Sequence, residues 1–78
     1  MKTPRDVSGE RLKRLFLRLG YLEARQEGSH VRMTFIAAPE HHVTVPMHKP
    51  LRIGTLGALL KDVAMRHGVT VESLIEDL

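Results

Sequence analysis

Between Tyr21 and Val45 the chain holds three short runs of strand character separated only by tight connections. That spacing constrains the fold more than any other feature. Parallel neighbours need a crossover of about a dozen residues or more, so strands this close in sequence pair as an antiparallel meander. Tyr21 to Gln26 reads as the first strand, Glu27-Gly28-Ser29 as a turn, and Val31 to Ile36 as the second strand. Ala37 to Glu40 makes the next connection, and His42 to Val45 the third strand, stopped by Pro46, which has no N–H to give a ladder.

On either side the period becomes helical. Ser8 is placed to cap a helix whose apolar stripe is Leu12, Leu15, Phe16 and Leu19, with Gly20 as its stop. Arg11, Lys13, Arg14 and Arg18 fall on its other faces. After a loop from Met47 to Ile53, Thr55 reads as the cap of a second helix carrying Leu56, Leu59, Leu60, Val63 and Ala64, ended by Gly68. Thr70 caps a short third helix that buries Leu74, Ile75 and Leu78. The expected architecture is α+β, in the order αβββα with an extra C-terminal helix. A three-stranded antiparallel sheet has the two main helices on one face, and its other face is free to be polar. The 78 residues fit a single domain, 1–78, with residues 1–7 as a short, loosely held arm.

Composition narrows the function. Only Phe16, Tyr21 and Phe35 are aromatic, too few for a platform that reads single-stranded RNA by stacking, so any nucleic-acid contact is expected to be mainly ionic. Residues 1–61 hold 11 basic and 5 acidic side chains, a net of +6, and residues 62–78 hold 1 and 4, a net of −3. A basic body with an acidic tail suits a phosphate-binding surface, and it equally suits ordinary solvated charge. With no cysteine, disulfides and thiolate metal sites are excluded. No run approaches the ~18 apolar residues of a membrane span. The start lacks the apolar stretch of a signal peptide, so no membrane contact and a cytoplasmic location are expected.

Five histidines carry the chemical potential of the sequence: His30, His41, His42, His48 and His67. Histidine is the usual acid or base near neutral pH. His41 and His42 are adjacent, so on a strand they face opposite ways. No helical His pair and no cysteine completes a zinc set, and no metal or cofactor is expected. His30 differs in its setting, after Gly28 and Ser29 at a turn, with Arg25 and Arg32 close in sequence. RNA cleavage without a metal needs a base for the 2′-OH proton, an acid for the leaving 5′-oxygen and cations for the phosphate. These residue types make His30 a candidate. His41, His42 and His67 read as surface polarity.

Three blocks resemble the HicA family of toxins in the same order. Arg25-Gln26-Glu27-Gly28-Ser29-His30 is similar to its Arg-Gln-x-Gly-Ser-His signature. Val43-Thr44-Val45-Pro46-Met47-His48 is similar to its Val-Thr-Val-Pro-x-His strand ending, and Leu51-Arg52-Ile53-Gly54-Thr55-Leu56 to the entry of its second long helix. Ser8-Gly9 before the first helix and Gly20-Tyr21 after it also match, so the resemblance covers about residues 8–76. It implies a fold like a double-stranded-RNA-binding domain and a ribonuclease that cleaves mRNA. It also implies a HicB-type antitoxin as partner, with the catalytic role on His30 and the turn shaped by Gly28 and Ser29. The connection Ala37 to Glu40 lacks the glycine that family members often carry there.

The resulting expectation is a metal-independent endoribonuclease with His30 as general acid/base. Arg25, Arg32, Lys49 and Arg52 hold phosphate, and His48 serves as a second acid, a phosphate ligand or a turn residue. Two other readings of the same sequence are an RNA-binding module without chemistry and a subunit whose basic surface meets an acidic protein.

Overall fold

The computed structural model describes residues 3–78. Helix α1 (Gly9–Leu19) leads into strands β1 (Leu22–Glu27), β2 (His30–Phe35) and β3 (His41–Pro46), followed by helices α2 (Ile53–His67) and α3 (Val71–Glu76). The sheet order is β1-β2-β3 with both pairings antiparallel, the expected αβββα arrangement with its extra helix.

Alternation along β2 and β3 sorts the two faces. Val31, Met33, Val43 and Val45 are buried, whereas His30, Arg32, His42 and Thr44 are exposed. The inward set packs against Leu12, Leu15 and Phe16 of α1 and Leu56, Leu60, Val63 and Ala64 of α2, and Leu74 of α3 closes the core. β1 is exposed along its whole length, so it forms a shelf beside the helices.

Caps follow the sequence at four of five positions, Gly68 ending α2 at φ +65° among them. The Ser8 hydroxyl accepts from the Arg11 N–H at 3.1 Å, Gly20 leaves α1 at φ +109°, and Thr70 accepts from the Ser73 N–H at 3.1 Å. Thr55 is not a cap. α2 begins three residues earlier, with Arg52 as N-cap and no side-chain cap bond. The cause is Leu51, which is buried and donates its N–H to the Val7 carbonyl at 2.8 Å. Pinned there, the chain turns directly into the helix. The same bond corrects the expected loose arm. Val7 belongs to the core, although the part of that arm at residues 1 and 2 lies outside the described residues.

Tyr21 is likewise a core residue rather than the start of β1. A buried phenol must find hydrogen-bond partners. Here they are His41 Nδ1 at 2.5 Å and His67 Nε2 at 3.1 Å, and His41 Nε2 continues to Asp62 Oδ1 at 3.0 Å. His67 also stands edge-on to Phe35, with centroids 4.7 Å apart. His42 pairs with the Thr34 hydroxyl at 2.9 Å. These three histidines are therefore structural ties, not side chains that meet only solvent as the sequence suggested. Burial, and after it the charges of Arg66 and His41, lowers the His67 pKa below 6.5. The folded state then binds fewer protons than the unfolded chain as the pH drops, so this stabilisation is full above pH 6.5 and is lost on further acidification. Thermal melts from pH 7.5 down to about 4.5 should show a falling Tm, with a shallower fall in His67→Gln. An equal slope in the two proteins would remove His67 from the account.

Candidate active site

The site begins at the β1–β2 turn. Gly28 and Ser29 alone join Glu27 to His30, and Gly28 sits at φ +57°. A Cβ there would meet nothing within 4 Å, so glycine is required by the backbone conformation and not by crowding. The Ser29 carbonyl accepts from the Met47 N–H at 2.6 Å, which ties the turn to the segment leaving β3. His30 lies opposite Pro46, and two residues further on the chain reaches His48. As a result the exposed His30 and His48 rings stand 6.3 Å apart, centroid to centroid, inclined by 63°.

Helix α1 holds this segment from the other side. The Gly9 N–H donates to the His48 carbonyl at 2.9 Å. A Cβ on Gly9 would lie 1.9 Å from the Pro46 carbonyl oxygen and 2.9 Å from the Met47 Cα. Only glycine lets the first turn of α1 rest on residues 46–48.

The strand register places the cations. An irregularity between Glu23 and Arg25 leaves Ala24 without a partner and sets Arg25 directly across from Arg32. Without it, every residue from Arg25 to Glu27 would face the other way. Arg25, Arg32, Glu27 and His30 consequently share the open face in two adjacent rows, with the Arg25 guanidinium 3.6 Å from the Glu27 carboxylate. Like charges directly opposite each other oppose sheet formation. The Glu27 carboxylate offsets part of that repulsion at Arg25.

Beside His48, between α1 and the β1 shelf, lies a cleft of about 370 Å³. His48, Lys49 and Met47 line one end, Ser8, Glu10, Lys13 and Arg14 the α1 side, and Gln26 and Val31 the sheet side. Glu10 accepts from Arg14 Nε at 3.4 Å, and Lys13 reaches Glu23 at 2.5 Å. The hydrogen bond to the Glu23 carboxylate holds the Lys13 pKa above 10.5, so this ammonium stays charged.

The structure thus brings Gly28, Ser29, His30 and His48 together, sets Arg25 and Arg32 on the adjoining open face, and puts Lys49 in the cleft with His48. Arg52 stands apart as the α2 N-cap and lines no part of the cleft. Sequence reasoning missed Gln26, Lys13 and Arg14 as neighbours of the site. The helical pattern put Lys13 and Arg14 off the apolar stripe but could not say what that face overlooks. Among the described residues, no group of three or more His, Asp or Glu side chains is placed to hold a metal ion, and no helix is long and apolar enough to cross a membrane.

The family model described as the HicA toxin of bacterial toxin-antitoxin systems matches residues 9–65. The chain belongs to the HicA toxin family. The matched span runs from the glycine that heads α1 to Met65 near the end of α2, and only α3 among the elements falls outside it. It contains the turn, the His30–His48 pair and every cleft residue except Ser8. Neither the search of curated proteins nor that of solved structures returned a match. As a HicA-family protein the chain is a toxin component of a toxin-antitoxin system.

Proposed function

We propose that this HicA-family chain is an endoribonuclease that cleaves mRNA without a metal ion, with His30 as its principal proton-transfer group. The observation that carries the reading is the exposed His30–His48 pair, 6.3 Å apart at the end of the sheet. Imidazoles this close can both reach one phosphodiester laid across them. One imidazole takes the 2′-OH proton as the 2′-oxygen bonds to phosphorus. The other protonates the 5′-oxygen as the P–O5′ bond breaks, and Arg25, Arg32 and Lys49 offset charge on the phosphoryl oxygens. Gly28 and Ser29 fix the turn that presents His30, and Arg52 meets phosphate further along the strand.

The test is cleavage of an mRNA by the purified protein in excess chelator. Activity should persist undiminished, and His48→Ala should lose about 10²-fold or more together with one limb of a bell-shaped pH profile. Activity that vanishes with chelator and returns with a divalent cation would defeat the metal-free mechanism. Binding without cleavage would leave an RNA-binding module.

In the cytoplasm such a nuclease needs a restraint, and we assign that role to a HicB-type antitoxin that covers the basic face and His30. Its contact surface there is acidic, so the association rate should fall several-fold between about 50 and 300 mM salt. A rate indifferent to salt would show that the contact is not electrostatic.

A further inference from the structure

The cleft beside His48 has features that a phosphate site does not need. Its apolar floor is the half-buried Met47, with Val31, 1% exposed, packed beneath it. Gln26 stands over that surface from the β1 shelf. Its Nε2 donates to the Gly28 carbonyl at 3.2 Å, which orients the amide and leaves its oxygen and second N–H uncommitted. The rim carries Lys13, Arg14 and Lys49; Lys13 is paired with Glu23 and Glu10, and Arg14 with Glu10, so the rim is only mildly basic and Lys49 stands outside those ion pairs. A volume of about 370 Å³ is near the lower end of ligand pockets, which run from about 300 to 1,000 Å³. It suits one flat ring and its sugar, not a duplex.

We propose that this cleft is a nucleobase subsite: it takes the base of the nucleotide next to the scissile phosphate and reads its edge through Gln26. The role beside a scissile phosphate rests on the nuclease reading above. The base lies on the Met47 thioether, with Val31 directly behind it, in place of the aromatic platform that the chain lacks. Lys13 and Arg14 face the phosphate on its far side. His48 borders the cleft and neighbours His30. A base held there brings its own phosphate to the imidazoles, so a purely ionic contact is not the whole of recognition. Gln26 acts here as a specificity-determining residue with no part in proton transfer.

Two measurements test this. In the first, isotopically labelled full-length His30→Ala protein is titrated with the four nucleoside 3′-monophosphates and, separately, with inorganic phosphate, and followed by NMR. The Gln26 side-chain amide and the Val31 and Met47 methyl signals should move with the nucleotides, by amounts that depend on the base, and stay still with phosphate. Phosphate reproducing the whole pattern would overturn the subsite. In the second, wild type and Gln26→Ala are compared on RNAs that differ at the nucleotide flanking the cut. Gln26→Ala should flatten the preference among bases by about tenfold, acting mainly through KM. An unchanged preference with unchanged KM would also overturn it. Failure of the wild type to cleave any RNA while nucleotides still shift the cleft signals would sink the nuclease proposal and leave the base site standing. Cleavage with silent cleft signals would do the reverse.

Discussion

Replacing His30 by alanine should abolish growth arrest on induction in a bacterial host and lower RNA cleavage by about 10²- to 10⁴-fold, the usual contribution of a positioned acid or base. The fold should survive the change. His30 is exposed at a strand end, and substitutions of that kind usually move stability by no more than about 0.5 kcal/mol. Growth curves with total mRNA examined, for wild type and variant side by side, check the prediction, and a melting curve for each confirms that both are folded. Arrest by the wild type alone would tie toxicity to the imidazole. Arrest by both would move the chemistry to another residue, and arrest by neither, with both proteins folded, would leave a binding protein.

The second large effect is expected at Gly9, which touches no substrate in the proposed scheme. Alanine there would put a methyl carbon 1.9 Å from the Pro46 carbonyl oxygen, against backbone that has no flexible end to move aside. Either α1 lifts from residues 46–48, breaking the Gly9–His48 hydrogen bond, or the 46–48 segment shifts and takes His48 with it. Overpacking of this kind costs about 1–3 kcal/mol, and in a domain of this length each kcal/mol lowers Tm by about 4–8 °C. Gly9→Ala should therefore melt well below the wild type, and the fraction that remains folded should cleave poorly. Gly54→Ala is the control, because a Cβ there meets nothing within 4 Å. Equal melting temperatures for the two variants would mean that the contact is not as tight as it stands.

What the sequence disclosed depended on how local each feature is. The meander, the Ser8 and Thr70 caps and the Gly28-Ser29-His30 turn are set by residues a few positions apart, and periodicity or turn chemistry exposes them. His48 could be singled out by its motif, but its nearness to His30 comes from the β2–β3 register. The cleft was hidden because it depends on α1 resting on a segment some 40 positions away, and the Gly9 contact that permits this leaves no periodic trace. The irregularity at Ala24 was equally invisible, although it decides which face Arg25 and Gln26 take. Thr55 misled because a Gly-Thr pair before an apolar stripe looks like a cap. The decisive bond, from Leu51 to Val7, lies outside the helix. His41 and His67 lie 20 and 46 positions from Tyr21, so their shared hydrogen bonds emerge only when the sheet and α2 are assembled.

The facing Arg25 and Arg32 have a thermodynamic consequence for the protein at rest. The register sets Arg25 across from Arg32, with the Glu27 carboxylate 3.6 Å from Arg25 offsetting part of their charge, so a polyanion bound on this face stabilises the folded chain. A ligand that binds only the folded state adds about 2.7 kcal/mol at a hundredfold excess over its Kd, a sizeable share of what holds a small domain together. Occupancy of that face therefore governs the lifetime of the polypeptide as well as its contacts. Chains stripped of their anionic cover should be the first that proteases remove.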